Sequence, residues 1–199
     1  MRSVHGLAAT AARLNRDAGA PAIPSLYFFT DPARTPDPVA AARRLPRGTA
    51  VVYRHFGADD RADVARRLAA LCRSRGLVLL IGADAELAKT CGADGMHWPE
   101  RLMPRKRDAE FRIVTAAAHD AKAVAKAAAA GLDACVLSPI FPSASASAVD
   151  ELGLFSASQI ARASTIPVIA LGGVNADSAT RLIGRGFAGV AAVDAFLES

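Results

Sequence analysis

The sequence predicts a (β/α)8 barrel, the TIM-barrel class of α/β fold, carrying a short extra helix at its N-terminus. Eight short runs rich in β-branched or aromatic residues recur along the chain, and Ala-, Leu- and Arg-rich stretches with helical periodicity separate them. Gly76, Gly131 and Gly186 each stand just past a helical run and shortly before a new strand, where a left-handed cap is favoured. No polar linker divides the 199 residues. The expectation is a single domain over 1–199, with a helical extension over 1–22 and the barrel over 23–199. An open doubly wound sheet is the alternative arrangement of the same elements.

Taken in order, Val4, Leu7, Ala8, Ala11 and Leu14 follow helical spacing, and Arg13 and Arg16 interrupt the short apolar stretch. This predicts a leading amphipathic helix in preference to a targeting peptide. The predicted strands are Ser25–Thr30, Ala50–Arg54, Val78–Ile81, Gly95–Trp98, Arg112–Thr115, Ala134–Leu137, Val168–Leu171 and Gly189–Val193. Between them the helical pattern covers Pro36–Arg44, Asp60–Ser74, Ala85–Cys91, His119–Ala130, Ser156–Ala163 and Ala176–Arg185, with Met103–Glu110 read as loop or a short turn. Pro139–Gly153, long for a strand-to-helix connection, is read as a lid over the barrel mouth.

Composition narrows the function class. With 52% hydrophobic and 22% charged residues the chain can bury a sizeable core. The 24 Lys+Arg against 19 Asp+Glu give +5, which suits a phosphorylated small molecule. Arginines scattered over helical faces and 6% aromatics argue against nucleic acid. No apolar run approaches the roughly 18 residues a membrane span needs. Cys72, Cys91 and Cys135 are odd in number and widely spaced, which argues against a disulfide framework or a zinc site and for a cytoplasmic protein. A homo-oligomer is compatible with all of this.

In a barrel, chemistry belongs at the carboxyl ends of the strands. Those positions read Asp31, Arg54 and His55, Asp84, His97, His119, Ser138, Gly172 and Gly173, and Asp194. The glycine pair after a buried strand lets backbone approach a ligand, and Asn175 can cap the helix that follows; with the Val193–Ala195 turn they match a phosphate cradle. The alternative is that the glycines only relieve crowding at a tight turn. Arg54 can clamp an anion through a bidentate contact or form a surface pair. His97 reads as a base, a donor to a ligand, or a satisfied histidine at the rim, and His119 as a proton carrier or a helix-start residue. Asp31 either touches ligand or caps its turn. Asp84 and Glu86 lack a third oxygen ligand nearby, so no metal site is predicted.

Six segments in this order carry a resemblance: Leu26–Asp31, Gly92–His97, Ser138–Pro142, Leu152–Leu154, Ile166–Val174 and Gly189–Val193. Over residues 26–196 the chain resembles thiamine phosphate synthases and their TenI-like thiazole tautomerase relatives. The resemblance implies a role in thiamine biosynthesis on a barrel that joins a pyrimidine pyrophosphate to a thiazole phosphate, with Mg2+, and releases pyrophosphate. It also implies that Gly172, Gly173, Val193 and Asp194 hold the thiazole phosphate and that Arg54 lies on the pyrophosphate side.

Other positions depart from the family pattern. The Gln and Lys flanking the strand-two arginine become Val52 and Phe56, and the strand-three Asn-Asp, whose Asp helps bind Mg2+, becomes Gly82-Ala83. Asp84 and Glu100 remain only as displaced candidates for the metal carboxylates. The lid's Thr-x-Thr-Lys is Ser143-Ala-Ser-Ala146, and Asp194 replaces a Ser. The tautomerase's histidine falls on Pro139. The resemblance therefore implies a transferase or isomerase of thiamine metabolism whose Mg2+ ligands are not retained and whose synthase turnover is weak. A non-catalytic phosphate-binding barrel is the competing reading, and no strand-end Lys or paired carboxylate supports a phosphosugar isomerase or aldolase.

Overall fold

The computed structural model describes residues 4–142 and 151–193. Strands β1 (Leu26–Phe29), β2 (Ala50–Tyr53), β3 (Val78–Gly82), β4 (Gly95–Trp98), β5 (Ile113–Ala118), β6 (Ala134–Leu137), β7 (Val168–Ala170) and β8 (Gly189–Ala192) are all parallel. Leu26–Phe28 of β1 pairs with Val190–Ala192 of β8, so the sheet closes into a barrel and the open-sheet alternative is excluded. Seven helices lie among the described residues: α1 (Val4–Asp17), α2 (Pro38–Ala42), α3 (Arg61–Arg75), α4 (Ala85–Cys91), α5 (Ala121–Ala129), α6 (Leu154–Ala163) and α7 (Ala176–Thr180). None is long and apolar enough to cross a membrane.

Strand alternation divides the core into two apolar regions. Phe28, Val51, Tyr53, Leu79, Ile81, Val114 and Ala116 face outward into a layer shared with helix residues such as Leu68, Val124 and Ala157. Tyr27, Phe29, Val52, Leu80, Ile113, Val136, Ile169 and Ala191 face inward and fill the barrel. This inward row is what aims side chains at the mouth. Helix α1 buries Leu7, Ala11 and Leu14, as its spacing predicted, and Asn15 Nδ2 donates to the Ala188 carbonyl at 3.2 Å just before β8.

Some boundaries differ from the sequence reading. β5 runs to Ala118, three residues past the expected Thr115, because Ala116–Ala118 pair with Cys135–Leu137 of β6. Ladder hydrogen bonds outweigh the weak strand preference of alanine. The following helix starts at Ala121, where Asp120 caps it by accepting from Ala123 N at 2.7 Å. α6 begins at Leu154, behind Gly153. α7 ends at Thr180, and three-residue turns follow it past Gly184, which has a positive φ of 70°.

Candidate active site at the carboxyl ends of the strands

The inward rows, continued past the strand ends, collect most of the predicted residues. Phe29 leads to Asp31, Val52 to Arg54, Thr115 and Ala117 to His119, Val136 to Ser138, Leu171 to Gly173, and Ala191 to Val193. His97 already stands on the inward row of β4, whose outward neighbour Met96 lies in the outer layer. Sequence alternation therefore brings Asp31, Arg54, His97, His119, Ser138, Gly173 and Val193 to one end of one barrel. Asp194, Ala195 and lid residues 143–150 lie outside the described residues.

Arg54 is held from two sides. Its backbone N–H donates to Thr30 Oγ1 and its Nε–H to the Thr30 carbonyl, both at 3.0 Å, and its guanidinium carbon lies 5.0 Å from the centre of the Phe29 ring. Its two terminal nitrogens have no partner among the described residues. Burial pulls its pKa below the ordinary arginine range, an effect that Asp31 opposes and Arg34 reinforces. A guanidinium with a fixed Nε and a free terminal fork suits an oxyanion that approaches from the mouth.

His97 meets the same aromatic, Phe29, edge-on with ring centres 4.9 Å apart. The histidine is 5% exposed, so it lies below the rim and not on it as one sequence reading had it. Its Nδ1 lies 2.9 Å from Thr115 Oγ1, and that hydroxyl donates its one proton to the Met96 carbonyl at 3.3 Å. Thr115 therefore accepts from Nδ1–H, and the lone pair is on Nε2. Burial, aided by the Arg54 charge, pushes the His97 pKa down to about 3. His97 is a neutral imidazole with an acceptor nitrogen.

His119 stands between the end of β5 and the cap of α5, not at the helix start that its sequence suggested. Glu100, in the 3-10 turn Glu100–Leu102 after β4, accepts through one oxygen from His119 N at 3.0 Å and is 2.7 Å from His119 Nδ1. Asp31 turns its carboxylate back on its own loop, accepting from Ala33 N, Arg34 N and the Arg34 guanidinium. Burial opposes ionisation of Asp31, but the Arg34 contacts outweigh it and hold the carboxyl below its usual range.

The glycine turn serves packing as well as backbone exposure. Gly172 and Gly173 have φ of 94° and 62°, and their added Cβ atoms would come within 2.7 Å of Pro139 Cα and 2.4 Å of the Pro142 carbonyl. Ile140 N donates to the Leu171 carbonyl and Phe141 N to that of Gly172, so the segment after β6 lies directly on this turn. The N–H groups of both glycines donate to no acceptor among the described residues. Asn175 caps α7 as predicted, accepting from Asp177 N and Ser178 N.

The positions that the resemblance implies for Mg2+ do not suit a metal ion in this chain. Gly82 and Ala83 bring no carboxylate. Asp84 spends Oδ1 on the Leu87 N–H at 2.9 Å, as the N-cap of α4, and Oδ2 on Arg61 at 2.6 Å. Glu100 places Oε2 on His119 N and Nδ1. No cluster of three His, Cys, Asp or Glu side chains suited to a metal occurs among the described residues. Sequence reading missed Arg61, whose second terminal nitrogen donates to the Gly82 carbonyl at 2.8 Å and whose guanidinium lies over Phe56. It also missed Thr115, although a threonine among apolar inward residues is a legible signal.

A closed parallel barrel with arginine, two histidines and a glycine turn at the carboxyl ends of its strands defines the class: a (β/α)8 protein with its polar site at the usual mouth. The family model described as thiamine monophosphate synthase matches residues 26–196, and the chain belongs to that family. It is 29% identical over 192 residues to a thiamine-phosphate synthase of Bacillus velezensis, covering 88% of this chain and 84% of that protein. It is 28% identical over 180 residues to the thiamine-phosphate synthase of Nostoc, covering 87% of this chain but 51%, about half, of that protein's length. A thiamine phosphate pyrophosphorylase structure from Pyrococcus furiosus superposes with a TM-score of 0.74 at 24% identity, covering 92% of this chain and 87% of the other, and so shares the fold.

Proposed function

We propose that this barrel binds a thiazole phosphate, or a closely related phosphorylated small molecule, in the cytoplasm, and that its synthase turnover is weak. The observation that carries this reading is the contrast between two sets of polar groups at one mouth. Arg54 keeps its terminal fork unpartnered, as the Gly172 and Gly173 amides are, among the described residues. The carboxylates nearest to the family's metal positions are held by protein donors, Asp84 through both oxygens and Glu100 through Oε2. An anion finds donors here, whereas a departing pyrophosphate lacks the cations that would neutralise its developing charge.

Membership of the family supports the thiamine-biosynthesis setting. A purely binding barrel is the competing reading. Isothermal calorimetry and thermal shift with thiazole phosphate, pyrimidine pyrophosphate and thiamine phosphate, each with and without Mg2+, test the proposal. Saturable binding of thiazole phosphate that raises stability without Mg2+ is expected by linkage. Binding of the pyrimidine pyrophosphate alone, and only with Mg2+, would overturn it.

A further inference from the structure

The edge of the mouth after β2 and β3 carries an open aromatic ring. Val78 and Leu80 lie in the barrel interior and Leu79 and Ile81 in the outer layer, so by alternation Gly82 ends the inward row of β3 with no side chain. Phe56, from the turn after β2, fills that place. Its ring carbons Cζ and Cε1 lie 3.1 and 3.2 Å from the point that a Cβ on Gly82 would take. The turn is tight, with Phe56 N donating to the Arg54 carbonyl at 2.7 Å, so the ring and the Arg54 guanidinium start two residues apart on one edge.

Arg61 lies over this ring, its guanidinium carbon 5.5 Å from the ring centre. One face of Phe56 thus meets the arginine and one edge meets Gly82, yet the residue is 54% exposed, which leaves the opposite face as the open one. Leu102, after β4, and Phe155, in the first turn of α6, are the other large apolar side chains exposed among the described residues, and both also stand on segments that follow strand carboxyl ends. Charge at the Phe56 edge is satisfied internally. Arg61 gives one terminal nitrogen to Asp84 Oδ2 and the other to the Gly82 carbonyl, while Asp84 Oδ1 accepts from Leu87 N. A second phosphoryl group placed here would face a neutralised pair and an apolar ring, neither of which replaces its lost water. A planar ring gives up little water and gains a stacking surface.

We infer that Phe56 is the specificity-determining residue of the mouth: the ligand is an aromatic or heteroaromatic phosphomonoester whose phosphoryl group takes the Arg54 fork and whose ring stacks on the open face of Phe56. This rests on the reading of the mouth as a phosphate site. Diphosphates gain nothing over such a ligand at this edge. Gly82 and Arg61 are positioning residues, since a side chain at Gly82 would displace the ring and Arg61 covers the face that the ligand does not use.

The test compares inorganic phosphate, phenyl phosphate and pyrophosphate by calorimetry with the full chain at about pH 8, where a phosphomonoester is a dianion. Phenyl phosphate should bind about tenfold more tightly than inorganic phosphate, in line with aromatic stacking. Pyrophosphate should stay within about threefold of inorganic phosphate, with or without Mg2+, because the second phosphoryl group finds no unpaired donor beside Phe56. Phe56→Ala should cost phenyl phosphate about tenfold and inorganic phosphate less than about twofold, with Phe56→Trp keeping the preference and Phe56→Leu keeping part of it. In NMR the phenyl protons of the bound ligand should shift upfield and lose that shift in Phe56→Leu, a ring-current effect that a merely structural role would not produce. Equal affinity for phenyl and inorganic phosphate in the wild type, an equal loss of both in Phe56→Ala, or a tighter grip on pyrophosphate than on phenyl phosphate would each overturn the proposal while leaving the anion site standing. Failure of all three to bind would overturn the anion site and the proposal together.

Discussion

His97 Nδ1 and Thr115 Oγ1 meet at 2.9 Å across the β4–β5 ladder, inside the barrel and level with Phe29. A histidine there is stable only while neutral. The pair therefore links the stability of the fold to pH.

In the folded state burial, with the Arg54 charge, lowers the His97 pKa to about 3, against an ordinary value near 6.5. The unfolded chain thus binds the proton more readily, and stability falls as pH drops below about 6.5 and continues to fall toward about 3. Between pH 7 and pH 5 this one residue should cost about 2 kcal/mol. Urea unfolding at both pH values should show that loss in the wild type, and it should be largely absent in His97→Asn. An equal loss in the variant would show that other groups govern the acid limb.

Arg54 should dominate anion affinity. Arg54→Ala removes the fork and should weaken binding of inorganic phosphate or pyrophosphate about tenfold or more, since a charge-assisted hydrogen bond contributes about 1.5–3 kcal/mol. Arg54→Lys should recover little. An ammonium cannot both donate to the Thr30 carbonyl as Nε does and present a planar pair of donors beyond Phe29. Calorimetry on both variants decides this, and full affinity in the lysine variant would refute the bidentate reading.

Gly173→Val should destabilise the protein by at least about 1–3 kcal/mol, the range for overpacking and for side chains forced to positive φ. The added Cβ would come within 2.4 Å of the Pro142 carbonyl and 2.8 Å of Phe141 Cβ, both belonging to the segment after β6. Anion binding should be lost with it, because that segment is displaced and the two glycine amides no longer share one geometry. A variant with wild-type melting temperature and affinity would count against both roles of the turn.

Much of the fold was legible because period-two runs and glycine stops are local signals. Closure of the barrel was legible only as a count of strands, and the pairing of β1 with β8 is its physical content. Within the site, Arg54 and Asn175 could be placed from chain position alone, since each follows a buried strand. The partners could not. Thr115 lies 18 residues from His97, Glu100 lies 19 from His119, and Arg61 lies 23 from Asp84, so each contact depends on three-dimensional neighbours that sequence spacing does not show. Arg61 stands at the start of α3, and its side chain reaches across to the Gly82 carbonyl at the end of β3.

The Arg61–Asp84 contact bears on synthase turnover. Condensation that expels pyrophosphate accumulates negative charge in the transition state, which metal ions and cationic side chains normally offset. The resemblance puts the family's strand-two lysine at Phe56 and its strand-three carboxylate at Gly82-Ala83, and the nearest carboxylate, Asp84, is held by Arg61 and the α4 backbone. Freeing Asp84 for a metal would break an ion pair of 2.6 Å whose arginine side chain is only 16% exposed, together with a helix cap that typically contributes about 1 kcal/mol. Loss of one electrostatic contact to a transition state costs about 10²–10³ in rate, and the departures here fall on several such contacts. Purified protein supplied with pyrimidine pyrophosphate and thiazole phosphate should therefore turn over at least 10²-fold below the usual enzyme median of about 10 s⁻¹, with little response to Mg2+. Arg61→Ala, which releases Asp84, should lower the unfolding midpoint without bringing Mg2+-dependent turnover, because one carboxylate cannot assemble the site. A rate near the median that rises with Mg2+ would show that Asp84 or Glu100 leaves its protein partner to take the metal, and the reading of both contacts as fixed would be wrong.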